Sequence, residues 1–345
     1  MNKEIIIGNE TIQPGTRKTV LLDLPNSYAY SNNTMPVHVI HGKKEGPVLL
    51  VSAAIHGNEI NGTEIIRRLL NLKLLDRLHG TLIAVPIVNI YGFISQSRYL
   101  PDRRDLNRSF PGSKKGSMTS RLAHIFMDKL VSKCTHLIDL HTGAVGRENL
   151  PQIRAKITNS PETVKLAKAF GAPVILHSEL RDGSLREAVR SQGKPVLLYE
   201  AGEALRFNEI PIRAGVDGIL GVMNYLKMIQ RKKKRKYTTT ISMQSNWLRA
   251  EKSGLLRLAI TIGDKIEEGE TIGFIGDPLG ENELEIKSRY AGIAIGMVNV
   301  PLVYEGEAIV HIAKFDESDK VATHVDDFLE EFDPLADVDE VTQQS

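Results

Sequence analysis

A single cysteine in 345 residues is the first absence that matters. Cys134 has no partner for an internal disulfide, so the chain is not a stapled extracellular scaffold and must rest on an ordinary core. Charge of one sign is missing too. Forty-four basic side chains against 42 acidic ones leave a net charge of +2, too little for a strong field. No apolar run approaches the ~18 residues of a membrane span. The opening Met1-Asn2-Lys3-Glu4-Ile5-Ile6-Ile7-Gly8 has no secretory apolar region. These absences predict a cytoplasmic protein with no membrane and no nucleic-acid partner. The one basic run, Arg231-Lys232-Lys233-Lys234-Arg235-Lys236, has no aromatic residue interleaved and reads as a solvated linker.

What is present is an alternation of strands and helices. Residues 1–46 read as short β segments packed on a catalytic domain over 47–236. Apolar runs predict buried strands at 48–55, 81–88, 136–140, 174–176 and 195–199. Pro86 marks the end or edge of the second of these. Helical periodicity predicts helices from 60, over 117–132, from Pro161 to Phe170, from the Gly183-Ser184 cap to Arg190, and over 208–229. The expected fold class is α/β with a largely parallel sheet. The basic run is taken as the domain boundary. Residues 237–315 are punctuated by Gly and short β-like stretches, which predicts a small all-β barrel or sandwich. Residues 316–345 form a strongly acidic tail, expected to be loosely packed.

The chemistry concentrates at strand ends. His56-Gly57-Asn58-Glu59 lies where the first buried strand gives way to a helix. His141 follows the strand that contains Asp139. Ligands in open α/β sheets bind at the carboxyl ends of the strands. Two imidazoles and a carboxylate there are three ligands for one Zn²⁺, with a fourth position open for water. A Glu that opens a helix also complements the helix dipole. The second histidine and the close backbone approach that Gly57 and Gly143 permit favour the metal. Bound zinc lowers the pKa of its water to ~7, and a carboxylate must then receive the proton. Glu200 ends the 195–199 strand on the same side of the sheet and is the candidate, with Glu203 as the alternative. The polar loop 97–112 has four arginines, Arg98, Arg103, Arg104 and Arg108, suited to a substrate carboxylate or an oxyanion. These parts specify metal-assisted hydrolysis of an amide that carries a nearby carboxylate.

His56-Gly57-Asn58-Glu59, Asp105-Leu106-Asn107-Arg108, Asp139-Leu140-His141-Thr142-Gly143 and Glu200-Ala201-Gly202, in that order, resemble the succinylglutamate desuccinylase/aspartoacylase family of the zinc carboxypeptidase-like superfamily. The resemblance implies a carboxypeptidase-like α/β/α sandwich with a mixed sheet, followed by a β domain. It implies one Zn²⁺ on His56, Glu59 and His141, a substrate α-carboxylate held by Asn107 and Arg108, and Glu200 as general base and acid. It also implies that an arginine of an Arg-Tyr pair polarises the carbonyl. Arg98-Tyr99 looks like that pair but sits two residues further upstream than in aspartoacylase-like members, which leaves Arg103 and Arg104 as alternatives. The stretch 263–306 resembles a lipoyl/biotinyl-type hammerhead, with Lys287 an ordinary surface lysine, and would narrow the crevice for small substrates. The expected partner is a small N-acyl amino acid, and a homo-oligomer is compatible with the sequence. The alternatives are a metallocarboxypeptidase acting on short peptides and a non-catalytic binding protein on the same scaffold.

Overall fold

The computed structural model describes residues 2–25 and 33–335. Positions 26–32, within the expected N-terminal β segments, and 336–345, the end of the expected acidic tail, lie outside the described residues. The fold is built on one mixed sheet of 13 strands. Its centre is parallel: Val196–Gly202, His136–His141, Lys44–Ala53 and His79–Val85 lie side by side. These strands read as near-continuous apolar runs because both faces are covered. Leu49, Leu50, Val51 and Ala53 are all fully buried. Antiparallel strands flank the centre, with Thr34–His41 and Thr16–Asp23 on one side and Arg147–Ala155 on the other.

Helices cover both faces. Asn61–Leu70, Pro161–Phe170 and Glu209–Tyr225 bury Ile65, Leu166, Phe170 and Ile212 in one core. Met118–Lys129 and Leu185–Arg190 bury Leu122, Phe126, Leu185 and Val189 in the other. Helix starts follow local chemistry. The Ser117 hydroxyl accepts from the Ser120 amide and Ser184 from the Glu187 amide, each satisfying an orphan first-turn donor. The strand before Pro86 ends at Val85, as the missing N–H of proline requires.

The stretch 237–315 does two things. Glu283–Lys287, Thr271–Gly276, Gly254–Leu258 and Leu302–Val303 form a separate four-stranded sheet. Gly292–Val298, Ala308–Ala313 and Ser245–Arg249 instead extend the main sheet, entering it through Gly292–Val298 against Arg147–Ala155. Hydrogen bonding therefore runs on past the basic run. The expected loose tail is also different over its described part. Ser318–Phe332 is a helix that buries Val321, Val325, Phe328 and Phe332, one stripe at three- and four-residue spacing. Phe328 packs edge-on against Tyr237, with ring centroids 5.1 Å apart.

The basic run is not simply solvated. Alternate residues of it share one partner. Arg231, Lys233 and Arg235 all pair with Asp217, which is buried on the Glu209–Tyr225 helix. The pairing holds the Asp217 carboxyl below the usual range against the opposing effect of burial. Asp217→Ala would take a shared carboxylate from three cations, of which Lys233 keeps Glu331 and Arg235 keeps the Ala169 and Phe170 carbonyls. Because those cations are partly hydrated, the expected loss is about 2 kcal/mol rather than the full cost of a buried unpaired charge. A denaturant titration measures it, and an unchanged midpoint would reduce this cluster to surface decoration.

Candidate metal centre and its cavity

His56 follows the carboxyl end of Lys44–Ala53, in a turn that passes against the short helix Ile90–Ile94. Gly57 makes that passage possible: a Cβ there would stand 1.9 Å from the Gly92 carbonyl carbon. Glu59 closes the turn, its amide donating to the His56 carbonyl at 3.0 Å. His141 ends the adjacent parallel strand, so both imidazoles meet Glu59 at the sheet's carboxyl edge. Glu59 Oε1 lies 2.6 Å from His56 Nδ1, and Oε2 lies 2.7 Å from His141 Nδ1. The three donor atoms fall within 4.8 Å of one another, and all three residues are buried.

The far nitrogens are held by carboxylates. His56 Nε2 faces Asp105 Oδ1 at 3.2 Å, and His141 Nε2 faces Asp139 Oδ2 at 2.8 Å. The Ser52 hydroxyl donates to the other Asp139 oxygen at 2.7 Å. Such outer partners orient imidazole ligands and fix which nitrogen faces a metal, here Nδ1 of both. Burial opposes charge on Glu59, but the two imidazoles outweigh it and hold its carboxyl far below the usual range. Burial likewise opposes charge on the histidines, and their carboxylate neighbours raise both above the usual imidazole value, His141 most. A buried, already ionised carboxylate between two imidazoles fits a divalent ion of the zinc type.

The group opens into a cavity of about 330 Å³. Arg98, Asn107, Arg108 and Glu200 line it. Arg98 spans Glu59 Oε1 at 3.2 Å and Asp105 Oδ2 at 3.0 Å. Asn107 lies in a short turn capped by Asp105, and its side-chain oxygen accepts from the Leu185 amide at 2.9 Å, leaving the amide nitrogen for the cavity. Glu200 stands opposite His141 in the parallel register. Its carboxylate accepts from Asn149 Nδ2 at 2.6 Å and lies 3.6 Å from Arg154 Nη1.

Arg103 and Arg104, expected at the substrate, are exposed and do not line the cavity. The cause is Asp102, whose carboxylate bonds the Thr119 amide and hydroxyl and turns this part of the loop outward. Glu203 also lies outside the cavity. It bonds the Gly146 amide, the Asn299 side chain and Arg206.

Further cavity residues escaped the sequence reading. Arg147, Asn149 and Arg154 come from Arg147–Ala155, a strand whose polar residues and Pro151 hide its pattern. Arg181 and Arg186 come from the stretch after Val174–His177. Arg186 carried a readable signal, because a cation in a helix's first turn opposes the dipole. Arg186 is buried and bonds the Ser178 hydroxyl and the Ser178 and Glu179 carbonyls. Burial, with Arg154 nearby, pushes its pKa down to about 10. Trp247 forms the wall contributed from beyond the basic run. It stacks on His311, ring centroids 4.4 Å apart, with the Arg147 guanidinium over its ring.

A mixed sheet between helix layers, with a buried His-Glu-His group and a facing glutamate in a polar cavity at its edge, is the architecture of a metal-site hydrolase. The chain belongs to the succinylglutamate desuccinylase/aspartoacylase family: the family's catalytic-domain model matches residues 45–226. It is 29% identical over 301 residues to an N-alpha-acetyl-L-2,4-diaminobutyric acid deacetylase from Halomonas elongata, covering 82% of this chain and 86% of that one. A succinylglutamate desuccinylase/aspartoacylase structure from Rhodobacter sphaeroides superposes with a TM-score of 0.78 at 25% identity, covering 86% of this chain and 95% of that one. An aspartoacylase family protein from Mesorhizobium loti gives a TM-score of 0.75 at 26% identity, covering 88% and 95%. Among the described residues no helix is long and apolar enough to cross a membrane.

Proposed function

We propose that this chain is a zinc-dependent deacylase that hydrolyses small, acidic N-acyl amino acids, with His56, Glu59 and His141 as the metal ligands. A zinc ion held by these residues would supply an acidified water and a Lewis acid for the amide carbonyl. Glu200 takes the water's proton and hands it to the departing amine. Arg98, which contacts Glu59, is assigned the oxyanion. Asn107 and Arg108 hold the α-carboxylate. The observation that carries the reading is Glu200, facing His141 from the neighbouring strand within one shared cavity.

The acidic substrate follows from the lining. Six arginines, Arg98, Arg108, Arg147, Arg154, Arg181 and Arg186, line the cavity, and carboxylates already meet three of them: Glu59 and Asp105 at Arg98, Glu307 at Arg147 and Glu200 at Arg154. Bound zinc would take up the charge of Glu59 and add its own, so one α-carboxylate would balance only part of the positive charge left at Arg108, Arg181 and Arg186. A second substrate carboxylate neutralises more of it, whereas the ammonium named in the Halomonas relative's substrate would add to it. The proposed setting is the cytoplasm, which agrees with the lone buried thiol of Cys134.

The test is a substrate panel that varies acyl chain and side chain independently. N-acetyl-L-aspartate and N-succinyl-L-glutamate are expected to exceed N-acetyl-diaminobutyrate by at least about tenfold in kcat/KM, the worth of one well-placed charge contact. Cleavage of peptides alone would make the protein a carboxypeptidase. Preference for the cationic substrate would remove the acid-binding role of the arginines.

A further inference from the structure

We propose that Asn149 is a positioning residue that locks the carboxylate of Glu200, and that Gly296 is glycine to leave room for it. The inference rests on Glu200 as the general base. Asn149 Nδ2 donates to Glu200 Oε2 at 2.6 Å across neighbouring antiparallel strands. Both residues line the cavity, and Asn149 is buried.

A glutamate in this cavity needs such a lock. Its side chain has three torsions, and the surrounding guanidiniums offer several competing partners. Arg154 already lies 3.6 Å from the second oxygen of Glu200. A carboxylate drawn into any one of those pairs would be turned away from the metal group. A buried amide on a mid-sheet strand is a rigid donor by comparison. It is also neutral. A cationic donor at the same distance would favour the ionised carboxylate and make it a poorer proton acceptor. An aspartate there would repel it.

The room for this amide is made from the far side. Asn149 has Gly202 opposite on one strand and Gly296 opposite on the other. A Cβ on Gly296 would stand 2.8 Å from Asn149 Oδ1 and 3.3 Å from the His311 Cβ. The His311 side is walled by its stack on Trp247. A side chain at 296 therefore displaces the Asn149 amide, and with it the hold on Glu200. The base is set in this way by a strand nearly a hundred positions further along the chain.

The experiment compares the zinc-loaded Asn149→Ala, Asn149→Asp, Gly296→Ala and Glu200→Gln proteins, with N-acetyl-L-aspartate or the acid that ranks first in the panel. Zinc content and thermal melts are recorded beside kcat and KM. Asn149→Ala is expected to lower kcat about 30-fold with KM and zinc content close to wild type, the scale of losing one outer partner. Asn149→Asp keeps the shape and loses the donor, and its kcat falls further than that of Asn149→Ala. A residue that only filled space would give the opposite order. That order, or wild-type kcat in both variants, overturns the proposal. Gly296→Ala is expected to lower kcat in the wild-type background and to change it less than about twofold in the Asn149→Ala background. Additive losses would disconnect Gly296 from Asn149. Glu200→Gln separates the two readings. If it retains turnover, the base assignment fails and this inference fails with it. If it is inactive while the Asn149 variants are normal, the base stands and only the lock is lost.

Discussion

Glu200→Gln is expected to keep one zinc per chain and to lose turnover by about 10³-fold, within the range that a positioned general base contributes. The substitution is nearly isosteric. Glutamine can still present its oxygen to Asn149 Nδ2, which approaches Glu200 at 2.6 Å. Its nitrogen then faces Arg154, where the carboxylate oxygen lay 3.6 Å from the guanidinium. That exchange of an ion pair for two opposed donors occurs at a partly exposed rim and costs little beside the lost proton acceptor. The donors of the metal group are His56, Glu59 and His141, so zinc content should not change. KM should move less than kcat, because proton transfer belongs to the transition state. Metal analysis with steady-state kinetics checks all three statements. Wild-type turnover would end the role assigned to Glu200.

Loss of the metal is the second large effect. Chelation should bring turnover to background, and added Zn²⁺ should restore it. His141→Ala should do the same irreversibly. It removes one ligand and takes the imidazole partner from two carboxylates, leaving Glu59 with His56 and Arg98 and Asp139 with the Ser52 hydroxyl. Both are almost wholly buried, and breaking a buried pair costs about 3 kcal/mol or more. The variant should therefore melt below the wild type whether or not zinc is supplied. The wild type should gain stability as zinc is added, as any ligand that binds only the folded state requires. Activity that survives exhaustive chelation, or stoichiometric zinc in His141→Ala, would contradict the assigned ligands.

The group of His56, Glu59 and His141 was readable because both histidines end apolar runs. A strand buried on both faces announces itself, and the polar residue just past it stands out, as His56, His141 and Glu200 all do. The opposite holds for Arg147–Ala155. It is a strand of the same sheet, yet Arg147, Asn149 and Arg154 on it line the polar cavity, so it resembles a loop. Ser318–Phe332 was hidden by Asp326, Asp327, Glu330 and Glu331, which mask the stripe of Val321, Val325, Phe328 and Phe332 between them. Arg103 and Arg104 show a different limit. Local composition marks a basic loop but not which way its turn faces. That is decided by Asp102 reaching Thr119 on the following helix, a contact between residues 17 positions apart.

The continuity of the main sheet also governs how substrate gets in. Ser245–Arg249, which carries Trp247, is joined to the strands that lead to His141 and His56 by main-chain hydrogen bonds running through Ala308–Ala313, Gly292–Val298, Arg147–Ala155 and Val196–Gly202. The two walls of the cavity cannot swing apart like jaws without breaking that ladder. If the chain acts as proposed, substrate access is expected through small movements at the mouth rather than through domain closure.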